Sequence, residues 1–141
     1  MEGYYMNETS AKEWLTKSWH HLSSALALYR MEHYTDVIAI DAHYSIEVML
    51  KSFLAYQNKQ IYKTHNLLEL HSHILDYIEF DEYEKDLLRL ITTYHIRESY
   101  PTPHRRLPSR EEIKKVLDFT NGLFERVCTL LNISIEEIKK S

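Results

Sequence analysis

The scarcity of glycine and proline is the feature that most limits what this chain can fold into. Its 141 residues include only 2 glycines and 3 prolines, and all the prolines lie between 101 and 108. Tight β-hairpins depend on such turn residues, whereas long stretches without them favour helices. Because no segment shows the alternating pattern of a strand, the sequence predicts an all-α fold.

Helix starts are marked by a serine or aspartate followed three residues later by a glutamate, which together form a capping box. Such pairs are Ser10–Glu13, Asp81–Glu84, Ser109–Glu112 and Ser134–Glu137. Long helices are therefore predicted to begin near 10, 35, 81 and 109, and shorter ones to cover 66–80 and 134–140. The third long helix must end near Ser99, because Pro101 and Pro103 disfavour helical geometry just before them.

The second long helix, from Thr35 or Asp36 to about Tyr56, is apolar around most of its axis. Such a helix belongs at the centre of a bundle. We therefore predict a four- to five-helix up-and-down bundle. At this length the chain forms one domain, 1–141, with a core of about 10–131 and a short C-terminal helix.

Charge and composition narrow the class of function. A formal net charge of −4 excludes indiscriminate adhesion to nucleic acid, so any RNA contact must come from a local patch. The single Cys128 excludes an internal disulfide and suits a reducing compartment. No apolar run approaches the length of a membrane span, and the N-terminal residues lack the layout of a secretory signal. We expect a cytoplasmic protein without membrane contact.

The segment from Arg97 to His104 is the strongest candidate for chemistry. Six residues separate the arginine from the histidine, and two prolines break the helix between them. A guanidinium offers a planar fork of donors for phosphate, and an imidazole moves protons near neutral pH. Arg105, Arg106 and Arg110 add positive charge to the same loop. Spacing alone also fits a solvated loop between helices that binds no ligand.

Glu47 and Lys51 lie one turn apart in the most apolar helix. They are predicted to support the site structurally by orienting neighbouring groups such as Asp41 or His65. His43 and Glu47 have the spacing of a helical metal pair. However, the paired Glu-x-x-His pattern of di-iron bundles is absent, so we predict neither a metal nor a cofactor.

Three segments together resemble the HEPN family. They are Tyr44-Ser-Ile-Glu47-Val-Met-Leu-Lys51, Thr64-His65-Asn-Leu67-Leu-Glu-Leu70 and the Arg–Pro–His loop. In that family the second helix commonly carries a Glu and a Lys four residues apart, a His-Asp/Asn-Leu segment follows, and the catalytic signature is Arg, four to six residues, then His. The resemblance extends over roughly 11–131.

This resemblance implies a helical bundle that dimerises so that two Arg–His loops face each other across a cleft. Active members cut RNA without a metal. By that analogy Arg97 and His104 are the catalytic residues, Tyr100 shapes the cleft, and Arg105 and Arg106 hold RNA phosphates.

Two functions stay open at this point. One is a metal-independent endoribonuclease of the toxin or defence type. The other is a non-catalytic module that binds a nucleotide or docks on a nucleotidyltransferase antitoxin, because many relatives have lost the nuclease.

Overall fold

The computed structural model describes residues 7–101, 103 and 106–141. These described residues form six helices and no strand, which confirms the all-α bundle. The helices are α1 Glu8–Arg30, α2 Thr35–Tyr56, α3 Leu67–Ser72, α4 Glu82–Arg97, α5 Arg110–Leu130 and α6 Ile135–Lys139. Four are long, as predicted, and α3 and α6 are short.

Local capping explains where most helices begin. The Asp81 carboxylate accepts a hydrogen bond from the Glu84 amide, and the Glu84 side chain accepts one from the Asp81 amide, which completes the predicted capping box. Ser109 and Ser134 each accept a hydrogen bond from the amide three residues on, at the starts of α5 and α6. A cap of this kind contributes about 1 kcal/mol.

The predicted start of α1 at Ser10 is wrong. The helix begins at Glu8 because the Asn7 side chain accepts a hydrogen bond from the Ser10 amide at 2.9 Å. Asn7 is fixed in turn by the end of α2 and the residues just after it. Its backbone amide donates to the Tyr56 carbonyl at 2.7 Å, and its side-chain amide donates to the Asn58 side chain at 2.9 Å. A contact distant in sequence therefore fixes the first turn.

The predicted helix over 66–80 is also wrong in its length. Only Leu67–Ser72 is helical, and the chain then passes through turns in which Ile74 and Ile78 are buried. The buried His71 ring donates from Nε2 to the Ile78 carbonyl at 2.9 Å. The His71 side chain thus satisfies the Ile78 carbonyl, which a backbone amide would satisfy in a longer helix.

Helix α2 lies at the centre and packs against α1, α3, α4 and α5. Side chains such as Met49, Leu50 and Phe53 are fully buried, and each contributes about 1.5–3 kcal/mol through removal from water. Two small residues let α1 lie close to α2. The Ser18 hydroxyl donates to the Ser45 carbonyl at 2.8 Å, and the Ser45 hydroxyl donates to the Ser18 carbonyl at 3.0 Å.

One end of the bundle gathers the segments that carry the candidate site. The Thr35 hydroxyl, at the start of α2, donates to the Pro108 carbonyl just before α5 at 2.6 Å. Arg110 of α5 donates to the Tyr29 carbonyl of α1 at 3.0 Å and lies over the Tyr29 ring. The last turn of α4 reaches the same end, because Asp36 and Arg97 line one cleft.

Candidate functional site

Arg97 is the last residue of α4 and is exposed beside a cleft of about 450 Å³. Tyr100 follows at this cleft with 70% of its surface exposed. The cleft is lined by Asp36, Arg97, Glu98, Ser99, Tyr100, Pro101 and Leu107. A guanidinium and an exposed phenol ring at one opening are suited to a phosphate and an aromatic base.

Arg97 also borders a second cavity of about 280 Å³ on the side of α4 that faces α5. Arg106 lines this cavity, so the structure brings two of the predicted cationic residues together. The Glu112 carboxylate lies there too and accepts a hydrogen bond of 2.5 Å from the buried Tyr94 hydroxyl. This bond holds the last turn of α4 against the first turn of α5.

The predicted catalytic His104 and the predicted phosphate-binding Arg105 lie outside the described residues. The structure therefore locates Arg97 of the predicted Arg–His pair. The catalytic and phosphate-binding roles of Arg97, His104, Arg105 and Arg106 stay predictions.

Glu47, Lys51 and His65, predicted as supporting residues, form one cluster. The Glu47 side chain is only 6% exposed. One of its oxygens accepts a hydrogen bond from Lys51 Nζ at 2.9 Å, and the other accepts one from His65 Nδ1 at 2.7 Å. Burial alone would raise the pKa of Glu47, but the hydrogen bonds from His65 and Lys51 outweigh it, and the pKa lies below its usual value. Glu47 is therefore a buried carboxylate with two cationic or donor partners.

Two further histidines join this cluster. His43 is fully buried and donates from Nε2 to the His65 carbonyl at 2.8 Å, which leaves its Nδ1 without a hydrogen-bond partner among the described residues. The rings of His65 and His95 stack with their centres 3.9 Å apart and their planes at 19°. Burial lowers the pKa of His43, and burial together with the charge of His65 lowers the pKa of His95. Both shifts favour the neutral form of the ring.

His95 is the residue of this cluster that was not predicted from the sequence. No local spacing links it to His65, which lies thirty residues earlier on another element. A weak signal was available, since His95 lies two residues before Arg97 near the predicted end of the helix. The Glu47–Lys51 pair was predicted to orient Asp41 or His65, and it contacts His65. Asp41 instead accepts hydrogen bonds from two side chains of α1, His21 and Ser24.

The spacing of His43 and Glu47 raised the question of a helical metal pair. Within the described parts of the chain, no group of three or more histidine, cysteine or acidic side chains is placed to hold a metal ion.

None of the helices among the described residues is long and apolar enough to cross a membrane.

Together these features define an all-helical bundle with an arginine-lined cleft at one end and a buried charged cluster beside it. The HEPN domain model matches residues 11–133, and the chain belongs to the HEPN family, a family of nucleotide-binding and RNase-type modules. The fold is similar to the crystal structure of TT1696 from Thermus thermophilus, with a TM-score of 0.71 and 22% identity over 85% of this chain and 97% of that one. A comparison with curated proteins found no match.

Proposed function

We propose that this protein is a metal-independent endoribonuclease, in which Arg97 binds the scissile phosphate and His104 transfers protons. The observation that carries the proposal is the position of Arg97 at the mouth of a cleft of about 450 Å³, with the exposed Tyr100 beside it. The loop that holds His104 connects this turn of α4 to α5. A phosphate on Arg97 would therefore lie next to the segment that bears the histidine.

The reaction follows from the chemistry of RNA. A histidine takes the proton from the ribose 2′-hydroxyl, whose oxygen attacks the adjacent phosphorus. The bond from phosphorus to the 5′-oxygen breaks, and this oxygen leaves with a proton from a second histidine. Arg97 stabilises the negative charge that builds up on the phosphoryl oxygens. The products are a 2′,3′-cyclic phosphate and a 5′-hydroxyl end.

A homodimer fits this mechanism because one chain has one His104, whereas the reaction uses both a base and an acid. The same end of the bundle also exposes apolar side chains that a partner copy would cover. They are Tyr34 at 69%, Val37 at 41%, Ile96 at 68% and Leu107 at 47% exposure. We propose that this face carries the contact between two copies and joins two clefts into one composite site.

The test is cleavage of a fluorescent single-stranded RNA in the presence of a chelator. We expect wild type to cut it, His104→Ala to lose a factor of about 10²–10⁴, and Arg97→Ala a factor of about 10²–10³. Matched controls are Arg89→Ala, an exposed arginine on the same helix, and His20→Ala, an exposed histidine of α1. Equal cleavage rates for wild type and His104→Ala, or cleavage only with added metal, would refute the proposal of a metal-independent nuclease.

The alternative is a binding module that holds a nucleotide or docks on a nucleotidyltransferase partner. One observation favours it: Arg97 and Tyr100 line the cleft whether or not a histidine acts there. In that case wild type would bind the RNA through Arg97 and leave it uncut.

A further inference from the structure

A chain of contacts connects the centre of the bundle to the turn that carries Arg97. It begins at the buried carboxylate of Glu47 in α2, passes through the ring of His65, and ends at the ring of His95 in α4. His95 lies two residues before Arg97 in the last turn of the same helix. None of these three residues lines the two cavities that Arg97 borders.

His65 is fixed from α2 at two points. Its Nδ1 donates to Glu47 at 2.7 Å, and its backbone carbonyl accepts from His43 at 2.8 Å. A carboxylate bonded to one ring nitrogen sets both the tautomer and the orientation of an imidazole. The His65 side chain is 49% exposed, so burial alone does not hold it in place. The plane of this ring is thus determined by the interior of the bundle.

The fixed ring forms a platform for α4. His95 stacks on it with the ring centres 3.9 Å apart. On the side of α2, the ring centres of His43 and Tyr44 lie 5.3 Å and 5.9 Å from that of His95. On the α5 side of the same turn, Tyr94 bonds to Glu112. The last turn of α4 is therefore held by Tyr94 on α5 and by His95 on the rings of His65, His43 and Tyr44.

We propose that the His65–His95 stack is a positioning element for the Arg97 site: it keeps the last turn of α4 in the geometry that presents Arg97 to the cleft. Its consequence for RNA cleavage rests on the proposed function, whereas its effect on α4 does not. Neither histidine touches the substrate. Loss of the ring at 95 releases this turn and lowers the fraction of molecules that are competent to bind.

The stack also makes the site sensitive to acid. The groups facing His95 are the rings of His43, Tyr44 and His65. The Glu47 carboxylate, bonded to the far side of this cluster at His65, acts in the opposite direction and favours a proton on His95. A proton on His95 would add a positive charge to the stacked rings. Burial and the charge of His65 lower the pKa of His95 accordingly. As the pH falls through that lowered value, the stack should open.

The experiment compares His95→Ala, which removes the ring, with His95→Phe, which keeps a ring that cannot take a proton. The matched control is His73→Ala, because His73 stacks on Tyr62 at 4.0 Å and 13° in the same manner but lies at the end of α3. Hydrogen exchange of the peptide that covers the end of α4 is the first readout and needs no ligand. The second is RNA binding, measured in a His104→Ala background so that cleavage does not interfere.

We expect His95→Ala to speed exchange at the end of α4 and to weaken RNA binding by about three- to tenfold, the equivalent of one lost ring stack. His95→Phe should restore both near pH 8 and flatten the loss of binding between about pH 8 and pH 5. His73→Ala should change neither. If His95→Ala and His73→Ala behave alike, or if His95→Phe keeps the acid loss of wild type, the proposal is wrong. If wild type does not cut RNA but the variants still differ in hydrogen exchange and RNA binding as described, the proposed nuclease activity is wrong and the positioning role of the stack stands.

Discussion

Removal of the Glu47 carboxylate should be among the most destabilising single changes in this protein. The Glu47 and Lys51 side chains are 6% and 8% exposed and lie 2.9 Å apart. Glu47→Ala leaves the Lys51 ammonium buried without its partner and also removes the acceptor for His65. The loss of one partner from a buried ion pair costs about 3–5 kcal/mol. This is a large part of the roughly 5–15 kcal/mol that stabilises a typical domain.

The assay is urea unfolding near neutral pH, followed by circular dichroism. A matched double variant, Glu47→Leu with Lys51→Met, removes both charges and keeps the volume. It should recover most of the loss, because replacing both members of a buried pair by apolar side chains is often nearly neutral. A loss below about 1 kcal/mol for Glu47→Ala would mean that the pair behaves like an exposed one. Equal instability of the single and double variants would also refute the reasoning.

Three further outcomes follow from the structure. The free energy of unfolding should be highest above about pH 6.5, the ordinary value for histidine. It should fall as the pH drops from there to the lowered folded-state pKa values of His43 and His95, because the unfolded chain takes up protons first. A flat profile in urea unfolding would contradict this. Asp81→Ala should cost about 1 kcal/mol in the same assay through loss of the α4 cap, whereas an unchanged midpoint would argue against the capping box. Burial raises the pKa of the Cys128 thiol to about 11, so the native protein should react with a thiol reagent only as fast as it unfolds, and rapid labelling of folded protein would disprove this.

Local rules in the sequence predicted the parts of the fold that depend on neighbours in the chain. The caps at Asp81, Ser109 and Ser134 follow from side chains within a few residues. The bounds of α2 were predicted from its run of apolar residues, since no side-chain hydrogen bond caps its start. Tertiary contacts determined what was missed. The start of α1 depends on the bonds from Asn7 to the end of α2, and α3 is short because the chain folds back over His71.

The candidate site shows the same division. The Glu47–Lys51 pair was predictable because both residues lie on one face of a single helix, one turn apart. The stack of His65 on His95 was not, because it joins the segment before α3 to the last turn of α4. Periodicity identifies which residues share a helix face, but it does not identify which faces meet.

We propose that this protein cuts RNA through attack by the ribose 2′-hydroxyl, with Arg97 and His104 in place of a metal. The most direct test is mass analysis of the fragments that wild type produces in the presence of a chelator. We expect 2′,3′-cyclic phosphate and 5′-hydroxyl ends, and no cleavage at a linkage whose 2′-hydroxyl is methylated. Fragments that carry 3′-hydroxyl and 5′-phosphate ends, or cleavage at the methylated linkage, would contradict it.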